Sequence, residues 1–289
     1  MEARYLAFLE VVAQLRPKLH RYCARMTGSA FDGEDLAQDT LLEAYRKLDQ
    51  FDDARPLGPW LFRIAHNRCI DFLRRRIVRT AAEAMIATPD VVQFDESAGL
   101  DVRPAIEYLV QRLPPKERAC LLLKDVFDYT LEEIAELVGS TTGAVKAALS
   151  RGRAKLAASA PRPIHGSQPQ ADSLPVLSMY VEKFNRQDWD GVRELIRADA
   201  RLNVVDAFSG PLAESPYFGI YERLSVPWRF TLGRVDGEPV AIALRRGADT
   251  WTPYSAVRVV IENGQIASIV DYSHCPWVIQ NAAALFVAN

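Results

Sequence analysis

Cysteine, long apolar runs and net charge are all in short supply in this chain of 289 residues. Cys23, Cys69, Cys120 and Cys275 are its only cysteines, and no two stand at metal-ligand spacing. That excludes zinc ribbons and fingers, and it gives no disulfide framework. No apolar run approaches the ~20 residues of a membrane span, so no membrane partner is expected. The start, Met1-Glu2-Ala3-Arg4-Tyr5, lacks the basic stretch and apolar core of a signal peptide. Cytoplasmic localisation with buried free thiols is the expectation. A formal net charge of −2 argues against a protein that coats nucleic acid by bulk charge. No internal repeat is evident, and no metal or cofactor is expected.

What is present is charge sorted into blocks. Residues 54–80 hold seven arginines against Asp71 alone, a balance of +6. Residues 81–101 hold five acids and no base, a balance of −5. The averaged charge hides a basic block followed at once by an acidic one.

The most informative stretch is 130–156, which reads as a helix-turn-helix. Leu131, Ile134, Ala135 and Val138 share one face of a first helix. Gly139 sits where a helix end favours left-handed backbone, and Ser140 or Thr141 can cap the second helix. That helix sets Val145, Leu149 and Leu156 on its buried side, and Lys146, Ser150, Arg151, Arg153 and Lys155 on the other. Residues 141–156 carry four bases and no acid. An apolar stripe with a cationic reverse is the pattern of a recognition helix. A solvated basic helix in an all-α domain would read the same way.

The front of the chain is helical. In 34–48, Ala37, Leu41, Ala44, Tyr45 and Leu48 recur at helical spacing, with Asp35, Gln38, Asp39 and Arg46 on the other side. Pro56, Gly58 and Pro59 mark 49–59 as a loop. A second amphipathic helix starts at Trp60 and runs into the arginines. Leu113-Pro114-Pro115 marks another helix entry. Residues 159–173 form a proline-rich linker. Beyond helical residues 174–197 come β-rich runs at 201–205, 228–232, 240–244, 256–261 and 266–272, with Asn263-Gly264 as a hairpin signal. The expected division is 1–80, an acidic linker 81–102, a helical unit 103–158, a linker 159–173, and an α+β domain 174–289.

Two motif stretches carry a resemblance. Asp32-Gly33-Glu34-Asp35-Leu36-Ala37-Gln38-Asp39-Thr40, followed by Pro59-Trp60-Leu61-Phe62-Arg63-Ile64-Ala65-His66-Asn67-Arg68, resembles region 2 of the sigma-70 family. Leu113-Pro114-Pro115-Lys116-Glu117-Arg118, continuing through the helix-turn-helix, resembles region 4. In this order, with an acidic linker and no region 3, residues 5–158 resemble an extracytoplasmic-function (ECF) sigma factor. The resemblance implies two all-α sigma domains that bind core RNA polymerase, through the β′ clamp and β flap, and promoter DNA. Asp35, Gln38 and Asp39 would dock on the clamp, an acidic face suiting a basic partner. Arg63, Arg68, Arg74, Arg75, Arg76 and Arg79 would meet the −10 element, with the preceding loop receiving an unstacked base. Thr142, Lys146, Ser150 and Arg151 would contact the −35 element, Arg151 as a reader of guanine O6 and N7. Arg153 and Lys155 fit phosphate contacts. The family often carries a basic residue where this chain has Ala147 or Ala148.

Residues 174–289 resemble the SnoaL-like group of the nuclear-transport-factor-2 superfamily. The carriers are Met179-Tyr180-Val181-Glu182-Lys183-Phe184-Asn185, Ala200-Arg201-Leu202-Asn203-Val204, and Asn263-Gly264-Gln265-Ile266-Ala267-Ser268-Ile269-Val270-Asp271-Tyr272. The implied fold is an α+β cone with an apolar mouth. Tyr180, Asp206, Asp271 and His274 are its candidate pocket residues. Isomerases on this fold pair a carboxylate base with a donor. Tyr180 matches their first-helix tyrosine, Asp206 lies two positions beyond their base, and a second donor carboxylate is missing. The favoured expectation is a domain that modulates sigma activity without being an enzyme. A ligand-sensing pocket and a small isomerase or hydrolase stay open as alternatives, and a small-molecule ligand or an anti-sigma factor as further partners. The apolar tail, 277–289, reads equally well as a contact element or as the piece that closes the cone.

Overall fold

The computed structural model describes residues 2–52, 54–84, 113–158, 173–247 and 250–288. The expected acidic linker beyond Ala84, the start of the second helical unit and the proline-rich linker lie outside these residues. The chain divides into two compact units, Met1–Pro163 and Ile164–Asn289.

The first unit is all α. Its helices are α1 (Glu2–Thr27), α2 (Ala30–Arg46), α3 (Leu57–Ala84), α4 (Pro115–Leu121), α5 (Leu131–Leu137) and α6 (Thr142–Ala158). Ser29 opens α2 by accepting from Asp32 N at 3.2 Å. Gly33 lets α2 lie hard against α1, because a Cβ there would stand 2.6 Å from the backbone of Ala24. The loop expected over 49–59 ends earlier than expected. Leu57 begins α3, and Gly58 and Pro59 occupy its first turn, where a missing N–H removes no helix bond.

Buried Tyr22 joins α1 to α3 through Oη to His66 Nδ1 at 2.9 Å. Burial pushes the His66 imidazole down to about 4, so it packs as a neutral ring. Phe62 meets Tyr22 edge to face at 5.5 Å, then Phe127 at 5.2 Å and Tyr129 at 5.6 Å. One apolar core therefore runs from α1–α3 into α4–α6. Polar ties follow the same seam. Buried Arg118 donates to Met26 O at the end of α1 and to Leu113 O. Burial, then the neighbouring Arg76, lowers its guanidinium to about 10, which leaves it charged. Arg76 itself donates to Thr27 O at 3.2 Å, so two cations meet the carbonyl end of α1.

Thr130 and Glu133 form a capping box at the start of α5. Gly139 turns the chain at φ +61°, and Thr141 Oγ1 accepts from Ala144 N to cap α6. Val145, Ala148 and Leu149 bury one side of α6.

The second unit is α+β. Helices α7 (Ser173–Asn185) and α8 (Trp189–Glu194) precede seven strands. These are β1 (Ile196–Val204), β2 (Phe208–Pro211), β3 (Trp228–Val235), β4 (Glu238–Arg246), β5 (Trp251–Glu262), β6 (Gln265–Asp271) and β7 (Leu285–Val287). Short α9 (Tyr217–Glu222) and α10 (Trp277–Gln280) complete it. The strand order is β2-β1-β6-β5-β4-β3-β7, with β1 and β6 parallel and the other pairs antiparallel. Asn263-Gly264, both at positive φ, makes the β5–β6 turn. Asp236-Gly237 does the same between β3 and β4. Phe184 of α7 meets Phe230 at 4.7 Å, Tyr221 at 5.0 Å and Trp228 at 5.5 Å. Asn185 fixes the end of α7 to β3, donating to Phe230 O at 2.8 Å and accepting from Phe230 N at 2.7 Å. The apolar tail is built into this unit. Val278 is fully buried, and β7 pairs with β3.

Candidate functional site

The acidic side of α2 follows from its period. Asp35, Gln38, Asp39 and Leu42 stand three and four residues apart, opposite buried Ala37, Thr40 and Ala44. Asp35, Asp39 and Leu42 are exposed. This face borders α3. Arg68 donates to Glu43 at 2.7 Å and to Asp39 Oδ2 at 3.5 Å. Glu43, held by Lys47 and then by Arg68, ionises below the ordinary glutamate range.

Beside that pair a groove opens between α2 and α3, lined by Lys47, Gln50, Trp60, Arg63, Asn67 and Arg68. Trp60 lies 4.8 Å from Phe51, ring to ring. Lys47 and Gln50 were not among the residues singled out in the sequence, because no cationic run or motif marks them, and Asn67 lies inside the quoted motif but has no charge to set it apart. The six arginines expected at one element take different positions. Arg63 and Arg68 line the groove, Arg74 pairs with Asp71 at 3.4 Å, and Arg76 is bound to the end of α1. Arg75 and Arg79 are exposed farther along α3. Arg75 borders a second recess with Asp35 and Asp39.

The second cationic element is α6. Its exposed strip runs through Gly143, Lys146, Ala147, Ser150 and Ala154, which recur at helical spacing. Lys146 pairs with no carboxylate among the described residues. Small side chains flank it, so the helix backbone itself can come close to a partner. Thr142 is half-buried at the N-terminal turn and Ser150 is exposed. Arg151, Arg153 and Lys155 are tied elsewhere. Arg151 donates to Glu117 at 3.0 Å and Lys155 to the same carboxylate at 2.8 Å. Arg153 reaches Asp125 at 2.7 Å. All three cations therefore lean on the scaffold beneath α6. Lys155 and then Arg151 hold the Glu117 carboxyl below its ordinary range.

A pH dependence follows from that clamp. A depressed folded-state pKa stabilises above the unfolded pKa and loses that contribution as pH falls through the folded value. Glu117→Gln should thus lower the melting free energy near neutral pH by up to ~1 kcal/mol, since both cations are half exposed. The difference should vanish in melts run below the ordinary glutamate range. A constant difference from pH 7 to strong acid would show that Glu117 acts by packing alone.

The four candidate pocket residues of the second unit do not share one site. Tyr180 and Asp271 are fully or almost fully buried, whereas Asp206 and His274 are exposed. Asp271 accepts from Tyr217 Oη at 2.8 Å, Tyr221 Oη at 2.7 Å and Ser273 N at 2.7 Å. Burial first, then the Asp271 charge, raises all three phenols, Tyr180, Tyr217 and Tyr221. Tyr217 and Tyr221 were not foreseen, because they lie 54 and 50 residues from their acceptor. Asp206 sits at a turn with φ +68°, where Cys275 Sγ approaches it at 3.6 Å.

Residues 11–77 match the family model Sigma-70 region 2, and residues 103–156 match Sigma-70, region 4. Over 215 residues the chain is 34% identical to the ECF RNA polymerase sigma factor SigG of Mycobacterium tuberculosis. That alignment takes in 64% of this chain and spans 58% of SigG. Over 162 residues it is 31% identical to the ECF RNA polymerase sigma factor SigW of Bacillus subtilis, covering 52% of this chain and 87% of SigW. The crystal structure of the extracytoplasmic function sigma factor SigJ of Mycobacterium tuberculosis aligns over 93% of this chain and 97% of that one. Its identity is 18% and its TM-score 0.37. No described helix is long and apolar enough to cross a membrane.

Proposed function

The chain belongs to the ECF class of RNA polymerase sigma factors, and from that premise we propose that it binds core RNA polymerase through α2 and directs initiation at promoters read by α3 and α6. The observation that carries this reading is the pairing of surfaces on α2 and α3. An exposed acidic face lies next to a groove rimmed by Arg63, Arg68 and Lys47. A helix-turn-helix protein acting as an ordinary repressor needs neither. The acidic face suits a basic clamp, and the groove offers cations, an amide and an aromatic edge to an unstacked base. Lys146, with Thr142 and Ser150, supports the −35 contact. Arg151, Arg153 and Lys155 flank that face from their carboxylates and fit backbone phosphates better than base edges. Action on polymerase and promoter DNA places the protein in the cytoplasm.

Run-off transcription with purified core polymerase tests the proposal. Defined transcripts from specific promoters, absent without the chain, are the expected result. Sequence-independent DNA binding with no transcript from any promoter in a genomic library would overturn it.

For the second unit the reading is regulatory contact rather than catalysis. Its aromatic interior and the triple use of Asp271 as an acceptor leave no carboxylate aimed at a substrate from within that cluster. Deleting residues 174–289 should change promoter activity several-fold while the helical unit stays folded. Deleting only 277–289 should unfold the domain, because it strips buried Val278 and the β7 partner of β3. Transcription unchanged by the larger deletion would make the domain a passenger.

A further inference from the structure

Charge in the second unit is unevenly settled. Several of its arginines are neutralised where they stand. Arg186 pairs with Glu182, Arg193 with Asp190, Arg258 with Glu238, and Arg197 with both Asp199 and Glu262. Arg229, Arg245 and Arg246 are different. All three are exposed, and none pairs with a carboxylate among the described residues. They lie at one end of the β3–β4–β5 sheet. Register places Arg229 beside Leu244, Arg245 beside Thr252, and Arg246 beside Trp251. The hairpin acids Asp236 and Glu238 mark the opposite end of β3 and β4. They are already spent there, Asp236 on the backbone N–H groups of Ala283 and Ala284, and Glu238 on Arg258.

Two of these cations lie over aromatic rings. The Arg229 guanidinium lies 4.8 Å from the centre of the Trp251 ring, and that of Arg245 lies 3.2 Å from the centre of the Tyr254 ring. Tyr254 is itself anchored, its Oη donating to Ser273 O at 3.0 Å. A guanidinium held over a ring loses rotamer freedom and keeps its charge and its N–H donors. Those donors match the oxygens of a phosphodiester. The rings are covered by the cations, so the surface offers charge rather than a platform for bases.

We propose that the Arg229–Arg245–Arg246 end of the sheet binds the phosphate backbone of duplex DNA, giving the chain a sequence-independent contact outside its sigma helices. The occupant follows from charge complementarity and from tethering. A promoter held by the sigma helices is a polyanion at high effective concentration for a domain on a linker of about fifteen residues. The contact adds affinity and salt dependence without sequence preference.

The test uses the full chain in complex with core polymerase, and promoter duplexes of increasing upstream and downstream length, titrated at several salt concentrations. Each phosphate contact contributes about 0.9 to the slope of log K against log salt. The triple variant Arg229→Gln/Arg245→Gln/Arg246→Gln should flatten the slope by up to ~2.7 on a long duplex, and by nothing on a minimal one. Arg197→Gln, whose cation is already paired, should leave it unchanged. The triple Lys variant keeps charge and should retain most of the slope, which separates charge loss from misfolding. An unaltered slope for the Gln variant on every duplex would overturn the proposal. So would weaker binding of core polymerase, or of poly-glutamate, with DNA unaffected, because the surface would then serve an acidic polypeptide. The proposal rests on the sigma reading: failure of the unsubstituted chain to bind core polymerase or give a transcript would count against that reading, whereas an unaltered slope with transcription intact would overturn the phosphate contact alone.

Discussion

Core RNA polymerase should bind the Asp35→Lys/Asp39→Lys chain at least about a hundredfold more weakly than the parent, a loss of ~2.8 kcal/mol. Both carboxylates are exposed on α2 and separated by one helical turn, so a docking partner meets them together. Reversal replaces two attractions by two repulsions, and like charges facing each other across an interface cost several kcal/mol. The fold should tolerate the change. Asp39 meets Arg68 only at 3.5 Å, half exposed, and Arg68 keeps Glu43 at 2.7 Å. Such a surface pair contributes ~0–1 kcal/mol. Thermal melts should therefore nearly overlay while core binding, read by fluorescence anisotropy or co-elution, collapses. The Asn/Asn variant should fall in between. A Lys/Lys chain that binds core like the parent would assign docking to another face.

The seam inside the helical unit supplies the second large effect. Phe62→Ala should destabilise the unit by ~3–5 kcal/mol, the range for a buried phenylalanine. Phe62 is 2% exposed and touches rings from both sides of the seam. Phe127→Ala should behave differently. Its ring is half-buried and bridges Tyr22 at 6.0 Å to Phe62 at 5.2 Å, so removing it weakens the contact between the two halves more than either half's own core. On the proposed function, promoter elements separated along a duplex would require the halves to part. A chain that spends most of its time closed binds with an affinity reduced by its open fraction. Phe127→Ala should thus widen the distance distribution between spin labels on α3 and α6, and strengthen promoter binding by the free protein several-fold. Unchanged distances would show that the rings do not hold the halves together.

How much of this was legible in the sequence depends on range. The helix-turn-helix was, because Gly139, Thr141 and the 3.6-residue stripe are all local. The Asn263-Gly264 turn was as well. Asp236-Gly237 carries the same signal between two β-rich runs. β2 and β7, four and three residues long, are too short for alternation to register. The ties that decide the sites are not local. Glu117 lies 34 residues before Arg151, and Asp271 lies 54 and 50 residues after its tyrosines. Periodicity says which side of a helix is polar. It does not say which carboxylate waits beneath it, so Arg151 read as a free base-reader when it has a scaffold partner.

The seam between the helical halves also makes ionic strength a selective variable. Its one exposed ion pair, among the described residues, is Arg55 with Glu136 at 3.2 Å, both about two-thirds exposed, and salt screens such a pair readily. The packed rings and the bond of Arg118 to the uncharged carbonyl of Met26 also cross the seam, and salt hardly touches these. Cation contacts to DNA fade steeply over the same range. Concentrated salt should therefore leave the closed helical unit intact while dissolving the competing nucleic-acid contacts. Dilution with DNA present then favours the open, DNA-bound chain through the DNA contacts alone, because the seam itself is no weaker at low salt.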